Sequence, residues 1–413
     1  MAIPGDLFQF NLDRLVRLEA VLKPIALQQQ DLSSHDLMRA IRGHLSDDDD
    51  YGLATAVLAV QGKAKRKLGE GFWWCDERSL AQSTPIAVAK RKSRWTGDGD
   101  VYDLCCGIGA DAIALTTSST KVVNLQAVDA DALIAAMADR NLANGNGSRL
   151  DRNWTVLIGR AEEQLIGDRS WVHLDPDRRR DGGRTTHVDY YSPTWDAVEK
   201  IAEKACGGVV KIAPAASLED RPERHRVWIS LRGSVREQSV LFGESIAKAS
   251  DDLEVSLAGG GRSAVTISED GDAIVFHVTA KSLGSDTAPH VAQPLQFMID
   301  PDAAIRAAGL TDAFAVAYDA KTLGGPSGFL TTDASIDTAN AICKRILWSG
   351  SSDDRKLRRT LRQMNCYPQR VKTRGAAGDA NTLERRYRNC GDKPVILWIG
   401  KSGRRQYAVI SEV

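Results

Sequence analysis

Apolar positions along this chain change period several times, and each change marks an element. Near the start, Leu12, Leu15, Leu18, Val21 and Leu22 recur at the spacing of an amphipathic helix. Asp31-Leu-Ser-Ser34 predicts a helix start before His35 to His44. Asp50 to Lys67 reads as another helix with an alanine-rich apolar face, and Ser83-Thr84-Pro85 predicts a capped helix over Ile86 to Lys92. From there the pattern alternates. Strand-like runs end near residues 104, 128, 158, 174 and 213, with helical stretches between the first four. That alternation predicts a mostly parallel, doubly wound α/β sheet. Arg226 to Arg232 reads as a sixth strand, and Ala264 to Ile267 with Ala273 to Val278 as a hairpin.

Ser282 to Pro289 reads as a linker. The remainder opens with Pro294 to Pro301 and ends in two strands, Val395 to Ile399 and Gln406 to Ile410. The pattern divides the chain into a helical region over 1–81, an α/β core over 82–282 and a smaller α+β domain over 290–413.

Composition narrows the class. With 413 residues, 43% of them hydrophobic, the chain can bury two or three cores. No apolar run is long enough to span a bilayer. Met-Ala-Ile-Pro-Gly-Asp-Leu lacks the basic and apolar regions of a signal peptide, so cytoplasmic residence is expected. Seven cysteines with no C-x-x-C pair argue against a disulfide framework or a zinc site, and no metal is expected. The 54 basic and 54 acidic residues cancel, so bulk charge says nothing about nucleic acid. Distribution says more. Lys63 to Lys67, Lys90 to Arg94 and Arg355 to Arg362 are basic runs, which are ordinarily solvated faces but together suit a phosphate-binding surface.

The chemistry concentrates in Asp103-Leu-Cys-Cys-Gly107-Ile-Gly109-Ala-Asp111, between a strand and a helix. Gly107 to Ala112 fits G-x-G-x-x-A, the dinucleotide fingerprint. A pyrophosphate on that helix start would face two carboxylates, Asp103 and Asp111. A cationic ligand reverses the argument. S-adenosylmethionine carries a sulfonium and an ammonium and no phosphate. Asp129, about 20 residues past the glycines, suits ribose hydroxyls in either ligand.

These residues resemble the first two motifs of class I S-adenosylmethionine-dependent methyltransferases, which have a Rossmann-like sheet. In that frame Asp103, Cys105, Gly107, Gly109 and Asp111 of the turn bind the cofactor, with Asp129 and Ala130 after the second strand and Ala161 and Glu162 after the third. Met137 to Gly145 resembles an asparagine-containing stretch common in members that modify nucleic acids. Cys105 and Cys106 also read as small packing residues. A nucleophilic cysteine is not expected, because Asp175 occupies the place where the family's pyrimidine-modifying members carry it.

The fourth strand runs into Asp175-Pro176-Asp177-Arg178-Arg179-Arg180. Amino-methylating members end this strand in [N/D]-P-P-[Y/F/W/H], where the acid or amide and a backbone carbonyl align the acceptor nitrogen. Asp175 and Pro176 match the first half and are the catalytic candidates. Asp177 and Arg178 depart from the second half. Asp-Pro-x-Arg-Arg with Arg184, Tyr190 and Tyr191 resembles a bacterial subgroup with a C-terminal THUMP-like domain, which implies RNA as partner. Arg178 and Arg179 are then candidates for phosphates, and Tyr190 and Tyr191 for a base. Ion pairing or helix packing explains the same residues. His173 reads as a satisfied core histidine, Trp195 as core, and Lys211 as a cleft residue or an exposed strand end. The leading expectation is methylation of a base nitrogen in tRNA or rRNA. A small-molecule methyltransferase, a non-catalytic RNA-binding protein and, last, a dinucleotide enzyme are the alternatives.

Overall fold

The computed structural model describes residues 4–28, 39, 41–45, 47–117, 122–145, 153–180, 183–268, 271–324, 328–375, 379–403 and 405–413. Half of the expected helix over 35–44, and its start at 31–34, lie outside them. Helix α1 (Pro4–Gln28) buries Leu15, Leu18 and Leu22, the stripe its spacing predicts. Helix α2 (Asp48–Leu68) starts at Asp47, whose carboxylate accepts the Asp49 and Asp50 N–H groups, and stops at Gly69 with φ of 100°. Helix α3 (Glu77–Gln82) is capped reciprocally by Asp76 and Ser79. Helix α4 (Ile86–Lys92) follows Pro85 with no side-chain cap, so the expected capping by Ser83 or Thr84 is absent. Thr84 is used elsewhere, as described below.

The chain forms two units, residues 1–226 with 236–260, and residues 227–235 with 261–413. In the first, β1 (Gly99–Leu104), α5 (Ala110–Thr116), β2 (Val122–Asp129), α6 (Ala132–Gly145), β3 (Trp154–Ile158) and β4 (Trp171–Leu174) follow in order. After a short ribbon of β5 (Arg179–Arg180) and β6 (Gly183–Arg184) come α7 (Trp195–Ala202), β7 (Gly207–Ile212), β8 (Arg224–Leu231), β9 (Ser234–Gly243) and α8 (Ser245–Leu253). β8 runs from the first unit into the second. The first unit's strands lie in the order β9-β7-β4-β1-β2-β3, parallel except for β9. Every residue of β4 and β7 is buried, as expected for parallel strands covered on both faces. β1 leads outward to β2 and β3, then the chain returns to β4 on the other side. That reversal opens a crevice past the carboxyl ends of β1 and β4, where such sheets bind ligands. The two strands end level, Leu104 opposite Leu174, and the Asp175 N–H donates to the Leu104 carbonyl at 3.1 Å. The glycine turn and the Asp175 turn therefore leave the sheet side by side.

The second unit opens with the expected hairpin, β10 (Arg262–Ile267) and β11 (Ala273–Val278), paired antiparallel. It continues through β12 (Phe297–Pro301), α9 (Ala303–Ala307), α10 (Thr311–Ala317), β13 (Lys321–Leu323), β14 (Phe329–Thr332) and β15 (Ala341–Ser351). Helix α11 (Asp354–Gln363), β16 (Cys366–Arg374), α12 (Ala380–Tyr387), β17 (Lys393–Ser402) and β18 (Arg405–Ser411) complete it. Seven strands form one sheet, β13-β14-β12-β15-β18-β17-β16, and the unit is α+β as expected.

Candidate active site

The glycine turn owes its shape to three residues with positive φ: Cys105 (59°), Gly107 (55°) and Gly109 (82°). The left-handed region is open to glycine and costly for cysteine, so Cys105 is a strained position. Several bonds hold the turn. Cys106 N–H donates to the Val128 carbonyl at 3.0 Å, and Gly107 N–H to Asp129 Oδ2 at 2.9 Å. Asn141, on α6, donates to the carbonyls of Ile108 at 2.9 Å and Trp74 at 3.0 Å and accepts from Trp74 N–H at 2.8 Å. The asparagine of the expected nucleic-acid stretch thus ties the turn to the chain before α3.

Asp129 ends β2. Its Oδ1 accepts the Asp131 N–H at 3.0 Å while Oδ2 takes Gly107. Two acceptor sites remain on a carboxylate with four, which suits a ribose diol. Burial raises its pKa against the pull of those two N–H groups. A Cβ on Gly107 would meet no atom within 4 Å, so open space lies over the turn.

That space is a cleft of about 340 Å³, within the range of small-ligand sites. Asp103, Cys105, Gly107, Asp111 and Asp129 line it, and so do Asp175, Pro176 and Arg178. Asp76 to Thr84 supply a further wall that the sequence pattern had left among the helices. Gly109 sits behind the turn as the residue preceding α5. Ala130, Ala161 and Glu162 are not among the cleft's lining residues. Ala161 is core, and Glu162 binds Arg160 at 2.7 Å. Tyr190 is half exposed, its ring 5.9 Å from that of His187. Tyr191 is not available to stack a base: it is 3% exposed, and its hydroxyl accepts the Ala213 N–H at 3.3 Å. Trp195 is core as expected. The Arg179 side chain lies outside the described residues.

Beneath the cleft runs a chain of buried polar groups. The Lys92 ammonium lies 3.0 Å from Asp111 Oδ1, 3.0 Å from Glu237 Oε1 and 3.0 Å from His173 Nε2. His173 Nδ1 lies 2.7 Å from Asp103 Oδ1. An ammonium only donates, so Nε2 accepts and Nδ1–H donates to Asp103. Burial pulls the Lys92 pKa down, but Asp111 and Glu237 outweigh it and hold it above the ordinary value. Burial likewise opposes a charge on His173, and Asp111 and Asp103 draw its pKa up. A second proton on the ring would nonetheless face Lys92, so the geometry holds the neutral tautomer. Burial raises Asp103. Asp111 goes the other way: burial is outweighed by Lys92, with Lys211 and a Thr84 hydrogen bond adding to it, which hold it well below the carboxylate range.

The chain continues to the acceptor side. Thr84 hydrogen-bonds to Asp111, and Lys211 Nζ donates to Thr84 Oγ1 at 3.0 Å, to the Gln82 carbonyl at 3.4 Å and to Asp175 Oδ2 at 2.6 Å. Lys211 is therefore buried and bonded to the cleft's Asp175 rather than an exposed strand end. Lys92 belongs to no surface patch either. It and Arg91, which binds Asp252 at 2.9 Å, turn inward, while Lys90 and Arg94 face water. A signal for this was present: Lys92 follows Val88 by four residues and Ala89 by three, on the buried stripe of α4. The thiols of Cys105 and Cys106 are pushed well up, first by burial and then by Asp129, which leaves them un-ionised and poor nucleophiles.

Asp103 Oδ2 is buried and has no partner among the described residues. An orphaned carboxylate oxygen in a cleft calls for a cation or a donor, and with the ribose sites on Asp129 this fits S-adenosylmethionine. Comparison with known proteins agrees. No family model matches the chain. Two curated relatives, from the CDC 1551 and H37Rv strains of Mycobacterium tuberculosis, are each 26% identical over 379 residues, 88% of this chain and 96% of theirs. Both are described as uncharacterized S-adenosylmethionine-dependent methyltransferases. A solved structure of a proposed methyltransferase from Porphyromonas gingivalis W83 aligns with a TM-score of 0.69 at 16% identity, over 94% of this chain and 96% of that one. That likeness is one of fold: this chain has a Rossmann-like methyltransferase fold.

Proposed function

We propose that this protein methylates a base nitrogen in RNA, of the tRNA or rRNA class. The observation that carries the reading is the shared cleft: Asp175 and Pro176 line the same cavity as Asp103, Gly107 and Asp129. Bound S-adenosylmethionine supplies a methyl group already activated on a sulfonium. The chain's own work is to hold and to align. Asp103 receives the ammonium, Gly107 lets the backbone approach, and Asp129 receives the ribose. Asp175 spends Oδ2 on Lys211, which leaves Oδ1 and the Pro176 carbonyl to accept from an amine. Two acceptors fix the direction of the nitrogen lone pair, and alignment is what a displacement needs.

Support for RNA comes from charge placement. Arg178 edges the cleft. In the second unit, α11 buries Leu357 and Leu361 and exposes Arg355, Lys356, Arg359 and Arg362 on its other side. None of these four makes an ion pair among the described residues. A helix face of unpaired arginines suits phosphates. We read residues 290–413 as the THUMP-like, RNA-contacting domain, with residues 82–282 as the catalytic core and residues 1–81 as its helical extension. No helix among the described residues is long and apolar enough to cross a membrane, and we place the enzyme in the cytoplasm. Incubation with methyl-labelled S-adenosylmethionine, offered both total RNA and the small-molecule fraction of a cell extract, tests the acceptor. Label in RNA supports the proposal. Label confined to small molecules overturns it.

A further inference from the structure

His173 and Lys92 touch neither the acceptor turn nor the ribose carboxylate, yet both stand behind Asp103. We propose that they are positioning residues for the cofactor: they hold Asp103 so that Oδ2 is left to take the ammonium of the methionine end. This rests on the cofactor being S-adenosylmethionine.

The geometry makes the case in steps. Asp103 and His173 are directly paired residues on neighbouring parallel strands, β1 and β4. The imidazole binds Oδ1 through Nδ1–H at 2.7 Å, and Oδ2 is left unpartnered. A histidine free to change tautomer would present an Nδ1 lone pair to that carboxylate and repel it. Lys92 prevents this by donating to Nε2 at 3.0 Å. Lys92 in turn is held by Asp111 from α5 and Glu237 from β9. Along this buried chain, four carboxylates (Asp103, Asp111, Glu237 and Asp175) face two ammoniums, Lys92 and Lys211. Such a cluster favours a cation entering the cleft beside it. Packing alone does not require this arrangement. A buried, apolar pair would fill the same space without the desolvation cost of the charges.

The two nitrogens can be tested separately. Asn at 173 places its amide nitrogen where Nδ1 stands, and Gln places its own nearer Nε2. His173→Asn should keep the Asp103 bond, and His173→Gln should lose it. Calorimetry would compare S-adenosylmethionine, S-adenosylhomocysteine and adenosine, which lacks the methionine end. For His173→Gln we expect both amino-acid-bearing ligands to weaken by about 10- to 100-fold, as for a lost charge-assisted bond, with adenosine unchanged. His173→Asn should stay within about threefold of the native protein for all three. Equal weakening of adenosine in His173→Gln, no weakening at all, or failure of both variants to fold would assign His173 to packing and overturn the proposal. Failure of the native protein to bind S-adenosylmethionine would instead sink the cofactor reading itself.

Discussion

Replacing Lys211 by Met separates holding from alignment. The substitution keeps length and removes the charge. It deletes three bonds: to Asp175 at 2.6 Å, to Thr84 at 3.0 Å and to the Gln82 carbonyl at 3.4 Å. The Lys211 side chain is 5% exposed and that of Asp175 is 23% exposed. Breaking a fully buried ion pair from one side costs about 3–5 kcal/mol. Water reaches Asp175 from the cleft and offsets part of this, which leaves a cost of about 2–3 kcal/mol. For a unit of this size that lowers the melting temperature by about 4–12 °C. Function should suffer more. With Asp175 unanchored, displacement of its carboxylate by about 1 Å lowers kcat by about 10²-fold. S-adenosylhomocysteine should still bind within about threefold, because Lys211 touches none of the residues assigned to the cofactor's ribose or ammonium. The assays are differential scanning fluorimetry, calorimetry and steady-state methyl transfer. A lower melting temperature with native kcat would refute the reasoning, since it would make the pair a structural tie alone.

Three further outcomes are expected. Asp129→Ala should weaken S-adenosylhomocysteine by about 10- to 100-fold, because it removes the ribose acceptors and frees the Gly107 N–H; calorimetry reads this directly. Asp111 has a depressed folded-state pKa, so its contribution to stability is present above its ordinary value of 3.8 and is lost as pH falls through the folded value. The fall in melting temperature from pH 5 to pH 3 should accordingly be shallower in Asp111→Asn. On α11, Arg355→Glu, Arg359→Glu and Arg362→Glu should each weaken RNA binding regardless of sequence, and should reduce the salt slope by about 1 per lost phosphate contact, measured by fluorescence anisotropy at several salt concentrations.

The strand ends were legible because each is an apolar run broken by glycine or an acid, and β1, β2, β3, β4 and β7 all stop within a residue of the expected place. β9 was not. Its buried stretch includes Glu237, Gln238 and Ser239, which read as surface by residue type and are buried in a strand that pairs with β7 inside the sheet. The acids that line the cleft, Asp103, Asp111 and Asp129, were legible from their spacing around the glycines. The buried chain behind them was not, since Lys92 meets Asp111, His173 and Glu237 through the sheet rather than along the sequence. Charge runs conceal such residues: Lys90 and Lys92 look alike in sequence, and only the helix phase separates them. Tyr190 and Tyr191 show the same limit. Two adjacent tyrosines point opposite ways, one to water and one to the Ala213 backbone.

The central claim, that this cleft carries a methyl group to an RNA base beside Asp175, is tested most directly by nucleoside mass spectrometry. RNA would be incubated with S-adenosylmethionine and either the native protein or Asp175→Ala, then digested. The account predicts one methylated nucleoside with the native protein and none above background with Asp175→Ala, while both bind S-adenosylhomocysteine alike. Equal methylation by the two proteins, or none by a native protein that binds the cofactor, would contradict it.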